Sequence, residues 1–163
     1  MEFPFNFELD KRNYIKRRES FDIEYKQNFQ GGDNLIKYAK SLVGMANNKG
    51  GQIIFGIKDS PHLPIGINTK KWQEVDPGKI DRIIREYFSQ EIVWSQEILE
   101  FNDLEFGQIC VQEVENKPII CKKNKDNLLR EGAIYYRYRA ETKEIKFAEL
   151  KNLLDKEKEK EKL

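Results

Sequence analysis

Apolar and polar positions alternate with period two over Phe21-Asp22-Ile23-Glu24-Tyr25-Lys26. That period, with β-branched and aromatic residues, predicts a strand with Phe21, Ile23 and Tyr25 on its buried face. Glu24 and Lys26 then share the polar face. The turn Gln30-Gly-Gly-Asp33 follows, with Asp33 as a candidate N-cap. Beyond it the pattern changes to helical spacing: Leu35, Tyr38, Ala39, Leu42, Val43 and Ala46 define an amphipathic helix, closed by Asn47-Asn48-Lys49-Gly50-Gly51. Ile53 to Ile57 is an unbroken apolar run of strand length, as expected of a strand buried on both faces.

The rest of the chain follows the same rules. Ile65–Ile67 suggests a short edge strand after the loop Ser60–Pro64. Asp76-Pro77 opens a second helix carrying Ile80, Ile83, Ile84, Tyr87 and Phe88. Two strands, Ile92–Phe101 and Leu104–Val114, flank the hairpin signal Asn102-Asp103. Pro118–Cys121 and Ile134–Arg139 read as further strands, and Phe147–Asp155 as a last helix. The order β-α-β-α-β-β-β-β-α predicts one α+β domain, a mixed β-sheet packed with amphipathic helices. Residues 1–18 form a basic lead-in, 19–155 the domain, and 156–163 a solvated Lys/Glu tail.

Composition narrows the function classes. The net charge is only +1, so a nucleic-acid surface has to be local. No apolar run approaches the roughly 20 residues of a membrane helix, and no signal peptide is visible. The expectation is a cytoplasmic protein with no membrane partner. Two cysteines, Cys110 and Cys121, and one histidine, His62, are too few for a four-ligand zinc site. Free buried thiols and a non-catalytic His62 are expected instead.

Candidate chemistry gathers around the first strand. Glu24 and Lys26, two apart, are suited to a metal-holding acid beside a charge-stabilising lysine, although charged pairs on exposed strands are common. Glu19 lies five residues before Glu24. In a strand that spacing faces opposite sides, and in a helix it leaves the residues about 140° apart. The two converge only if the chain bends near Ser20. Asp59, just past the apolar strand, reads by itself as a turn residue. Lys16, Arg17 and Arg18 form a candidate phosphate-contacting patch. Tyr135, Arg137 and Arg139 share one face of their strand and are candidates for base stacking and phosphate contact, with Ile134, Tyr136 and Tyr138 turned to the core. There is no P-loop, because Lys49 precedes the glycine pair.

Several segments in order resemble the Schlafen-type Alba-like domain: Glu19-Ser20…Glu24-Tyr25-Lys26, Gly44-Met45-Ala46-Asn47, Gly50 through Asp59, Pro64-Ile65-Gly66, Lys117-Pro118, and Tyr135–Arg139 with Thr142. The resemblance runs from Glu19 to Leu154. It implies a metal-dependent endoribonuclease acting on structured RNA such as tRNA, with Glu19, Glu24 and Asp59 binding Mg²⁺ or Mn²⁺ and Lys26 beside them. Vertebrate members carry a His/Cys zinc site and two lobes. This chain has neither, so a homodimer is the expected replacement for the second lobe. The alternative is a non-catalytic module of the same fold, binding RNA or DNA or regulating transcription.

Overall fold

The computed structural model describes residues 3–162. A mixed four-stranded sheet has the order β1-β2-β6-β5, formed by β1 (Ile23–Lys26), β2 (Gly50–Phe55), β5 (Trp94–Phe101) and β6 (Leu104–Gln112). β1 and β2 are parallel and joined through helix α1 (Asn34–Ala46); the other pairings are antiparallel. The β5–β6 hairpin turns at Asn102 and Asp103, at φ 49° and 61°. Both residue types tolerate this left-handed geometry, which suits a two-residue hairpin turn.

One face of the sheet presents Ile53, Phe55, Ile109 and Val111 to α1 and α3 (Gly78–Tyr87), and this forms the larger core. The segment from Ile119 to Tyr135 closes that core, and its buried residues Ile119, Cys121 and Leu129 are part of it. Pro118–Cys121, expected as a strand, makes only an isolated bridge between Cys121 and Phe88. Its anchor is the Asn47 side chain. Asn47 Nδ2 donates to Ile119 O (3.2 Å) and Tyr135 O (2.8 Å), and Oδ1 accepts from Ile119 N (2.8 Å). A carboxamide used from both ends replaces the ladder that an irregular segment lacks.

The opposite face carries Ile23, Tyr25, Ile54 and Phe106, and Ile57, just past the sheet, joins their cluster. The N-terminal segment covers it with Phe5, Phe7 and Leu9, Phe7 stacking on Phe101 at 4.7 Å. Ile15 is buried there as well. The lead-in is therefore packed against the domain, and its alternation Phe3, Phe5, Phe7, Leu9 is a strand-like signal that the sequence reading passed over.

β2 ends at Phe55, before Gly56, whose φ of 111° and a Cβ position 2.8 Å from the Phe106 ring admit only glycine. The turn sends the chain out of the sheet into β3 (Ile57–Lys58), which pairs with β4 (Leu63–Pro64) in a small separate ladder. The edge strand expected at Ile65–Ile67 thus begins two residues earlier, at Leu63. Helix α2 (Thr69–Glu74), unanticipated, buries a single residue, Trp72. β7 (Tyr135–Arg137) and β8 (Thr142–Glu144) form a second small ladder against α1. The ideal Cβ position of Gly44 lies 2.7 Å from Thr142 Cγ2, so only a residue without a side chain lets the hairpin dock. α4 (Phe147–Glu161) runs through most of the Lys/Glu tail as continuous helix.

Candidate functional site

The bend near Ser20 exists. Ser20 and Ile23 exchange backbone hydrogen bonds, Ser20 N to Ile23 O at 3.0 Å and Ile23 N to Ser20 O at 3.4 Å, closing a tight turn. The turn brings Glu19 back alongside Tyr25, where Glu19 Oε1 accepts from Tyr25 N at 2.9 Å. β1 is the sheet edge, and this carboxylate satisfies one of its outward N–H groups. Asp59 and His62 arrive on the β3–β4 loop. His62 Nε2 is 3.4 Å from Asp59 Oδ1, and the imidazole stands edge-on to the Tyr25 ring at 4.8 Å.

Glu19, Asp59 and His62 each offer one ligand atom, all within 4.8 Å of one another. Two ligands of one cation at about 2.1 Å can lie up to about 4.2 Å apart, so roughly half an ångström of closure suffices. Asp59 is largely exposed, with 78% of its side chain accessible, so the movement meets little resistance. Two carboxylates and an imidazole suit Mn²⁺ better than Mg²⁺, which prefers all-oxygen surroundings. His62 is the member of the cluster that the sequence did not reveal: a lone histidine in a Pro-containing loop carries no local signal.

Glu24 is elsewhere. Strand alternation turns it to the α1 side of the sheet, opposite Tyr25, and it is buried at 7% exposure. Its Oε1 accepts from Arg137 Nη1 at 2.8 Å and Ser41 Oγ at 3.3 Å. It does not belong to the carboxylate–imidazole cluster. The expectation of a solvated polar face on β1 fails because α1 and the β7–β8 hairpin cover that face. Phe21, expected in the core, is 41% exposed instead, since it sits in the turn before the strand. Lys26 lies on the Glu24 side of β1, half-buried, and not beside Glu19 and Asp59.

Arg137 is 1% exposed, and its other donors reach Ser20 O (3.0 Å, from Nε) and Ile23 O (3.1 Å, from Nη2). All three guanidinium nitrogens are engaged, so Arg137 holds the hairpin to β1 and cannot contact a phosphate. Tyr135 is also buried, its hydroxyl accepting from Arg130 N at 2.9 Å, which removes it as a stacking platform. Burial pushes its phenol pKa up. The two faces of this strand are thus exchanged relative to expectation: Tyr136 and Tyr138 are only partly buried, and Arg139 is exposed.

Arg17 and Arg18 remain available. Both are exposed next to Glu19, Arg17 resting loosely on Asp22 at 3.3 Å. Lys16 is exposed and paired with Glu8 at 3.0 Å. Tyr25 lies beneath this patch and donates from its hydroxyl to Arg17 O at 2.7 Å. Its phenol is pushed well up by burial, with Arg17 opposing and Glu19 adding to the shift. Cys110 and Cys121 are buried free thiols, and burial raises Cys110 to about 12.

The molecule is an α+β domain with a mixed sheet, a parallel β1–α1–β2 unit and an acidic side chain fixed along its edge strand. The profile of the Schlafen, AlbA_2 family matches residues 19–146, and the chain belongs to that family. Its sequence is 35% identical over 155 residues to an uncharacterized ATP-binding protein of Ureaplasma parvum. That match covers 86% of this chain and 43% of the relative, so the chain spans less than half of the relative's length. In fold it is similar to the DIP2311 protein of Corynebacterium diphtheriae, with a TM-score of 0.53 at 16% identity, over 83% of this chain and 24% of that one. Among the described residues no helix is long and apolar enough to cross a membrane.

Proposed function

We propose that this domain is a metal-dependent endoribonuclease acting on structured RNA such as tRNA, with its metal centre at Glu19, Asp59 and His62. The observation that carries the reading is the convergence of those three ligand atoms within 4.8 Å. Arg17 and Arg18, exposed at the rim, supply the phosphate contacts, together with Lys16 and Arg139. A divalent cation bound there supplies Lewis acidity at a scissile phosphate. Around it, Glu19 and Asp59 carry the negative charge that attracts the cation, and the Tyr25 N–H fixes Glu19. Glu24 is reassigned from metal ligand to the partner of Arg137, and Lys26 to the Glu24 side of β1. The working form is proposed to be a cytoplasmic homodimer, in which a second copy extends the basic surface that one lobe offers.

The test is incubation of the protein with tRNA in Mn²⁺ and in EDTA, beside Asp59→Ala and His62→Ala. Cleavage in Mn²⁺ that vanishes in EDTA and falls at least about 100-fold in both variants is expected. Equal cleavage by all three proteins sinks the assignment. A second reading, a non-catalytic nucleic-acid or nucleotide-binding module, draws support from the engagement of Glu24 by Arg137, which leaves two carboxylates in the cluster where the resemblance implies three. Binding of RNA without any Mn²⁺-dependent cleavage selects it.

A further inference from the structure

A cleft of about 340 Å³ opens between β1, α1 and the β7–β8 turn, on the α1 side of the sheet. That volume lies within the range of small-molecule sites. Two atoms in its wall residues are without partners among the described residues: Glu24 Oε2 and Thr142 Oγ1, both buried. Buried polar atoms in native folds are satisfied with few exceptions, and both exceptions here belong to one cleft.

The charges around the cleft decide what it accepts. Lys26, Lys37 and Lys40 line it, and none has an ion-pair partner among the described residues. Lys40 lies over the Tyr135 ring at 4.7 Å. The acids lining it are both engaged, Glu24 by Arg137 at 2.8 Å and Glu141 by Lys143 at 2.8 Å. The local balance is positive, which repels a cation and attracts a phosphate. A carboxylate oxygen only accepts, so the ligand group facing Glu24 must donate. An anion that carries hydroxyl donors is required.

We propose that this cleft is a second site, distinct from the Glu19–Asp59–His62 cluster, that binds the ribose–phosphate unit of a ribonucleotide. Lys26, Lys37 and Lys40 take the phosphate. Ribose hydroxyls donate to Glu24 Oε2 and pair with Thr142 Oγ1 after small side-chain rotations at the wall. The 2′-hydroxyl is the group that separates RNA from DNA, so the cleft would carry the sugar specificity and the metal cluster the chemistry. The inference rests on the nucleic-acid reading above but on no metal-dependent step.

The experiment is calorimetric titration of the full chain in EDTA with ATP, 2′-deoxyATP, and a short RNA and its DNA counterpart. At least a tenfold preference for the ribo form, of either the nucleotide or the strand, is expected, and which of the two binds identifies the ligand's source. Thr142→Val should collapse the preference several-fold, and Lys37→Ala with Lys40→Ala should weaken ribo and deoxy ligands alike. Glu19→Gln should leave the preference intact. Equal binding of ribo and deoxy ligands, no binding of any of the four, or loss of the preference in Glu19→Gln overturns the proposal. Failure of tRNA cleavage alone does not touch it, because no metal is present in the titration.

Discussion

Two acids of β1 and its lead-in, five residues apart, have opposite surroundings. Glu19 lies at the partly exposed edge, fixed by one backbone N–H and facing Asp59 and His62. Glu24 is buried against α1 and neutralised by an arginine that is itself 1% exposed. At the edge, water screens the charges, so the cluster costs the fold little and stays free to take a ligand. Inside, a charge is tolerated only when paired and hydrogen-bonded, so Glu24 and Arg137 are committed to each other and to the docking of the hairpin. A solvent-screened cluster and a buried ion pair thus divide between the two sides of one strand, with Glu24 Oε2 the one carboxylate atom of the pair left without a partner among the described residues.

The largest expected effect breaks the buried side. Arg137→Ala leaves Glu24 uncompensated and should destabilise the protein by about 3–5 kcal/mol in urea denaturation, while a Glu24→Gln, Arg137→Met double variant recovers much of the loss. Asp59→Ala, at the exposed side, should stay within about 0.5 kcal/mol of the parent. Comparable losses at both positions would erase the distinction. Next in size is Gly44→Ala. Its methyl group meets Thr142 Cγ2, so the hairpin that carries Arg137 must shift, costing about 1–3 kcal/mol. Faster amide exchange confined to residues 135–144 would show that the hairpin is what gives way.

The smallest effect concerns Tyr25, which backs Glu19. Burial raises its folded pKa above the unfolded value of 10.0. The sign follows: below pH 10 the neutral phenol is present in both states, and above it the unfolded state loses the proton first. Stability should therefore fall as pH rises beyond about 10, by at most about 1.4 kcal/mol per pH unit for this group. Tyr25→Phe should flatten part of that slope in pH-resolved thermal unfolding, at a cost of about 1 kcal/mol for the lost hydrogen bond to Arg17 O. An unchanged slope would assign it to the other buried tyrosines.

Local pattern carried much of the fold. The α1 periodicity, the Ile53–Phe55 part of the apolar run and the Asn102-Asp103 hairpin emerged where expected, because each is set by neighbours in sequence; Ile57, expected in the same strand, is carried by the Gly56 turn into the separate β3–β4 ladder. The errors arose where distant segments decide. Period two on Tyr135–Arg139 defines two faces, but only the docking of the hairpin on α1 determines which is inside, and there the buried cation is met by Glu24. α2 escaped notice because it buries one side chain. At the site, Glu19 and Asp59 were legible through the resemblance. Their third companion, His62, was not, since it is the β3–β4 turn that folds it back onto Tyr25.

Gly56 has a consequence for how this domain can change over time. Because the backbone leaves the sheet there, the register of β2 with β1 and β6 is complete before the chain reaches Asp59. Insertions, deletions or exchanges between Lys58 and Leu63 alter what the edge offers without shifting a single rung of the main ladder. A lineage can gain, swap or discard the Asp59 and His62 side chains that face Glu19 while inheriting the architecture unaltered.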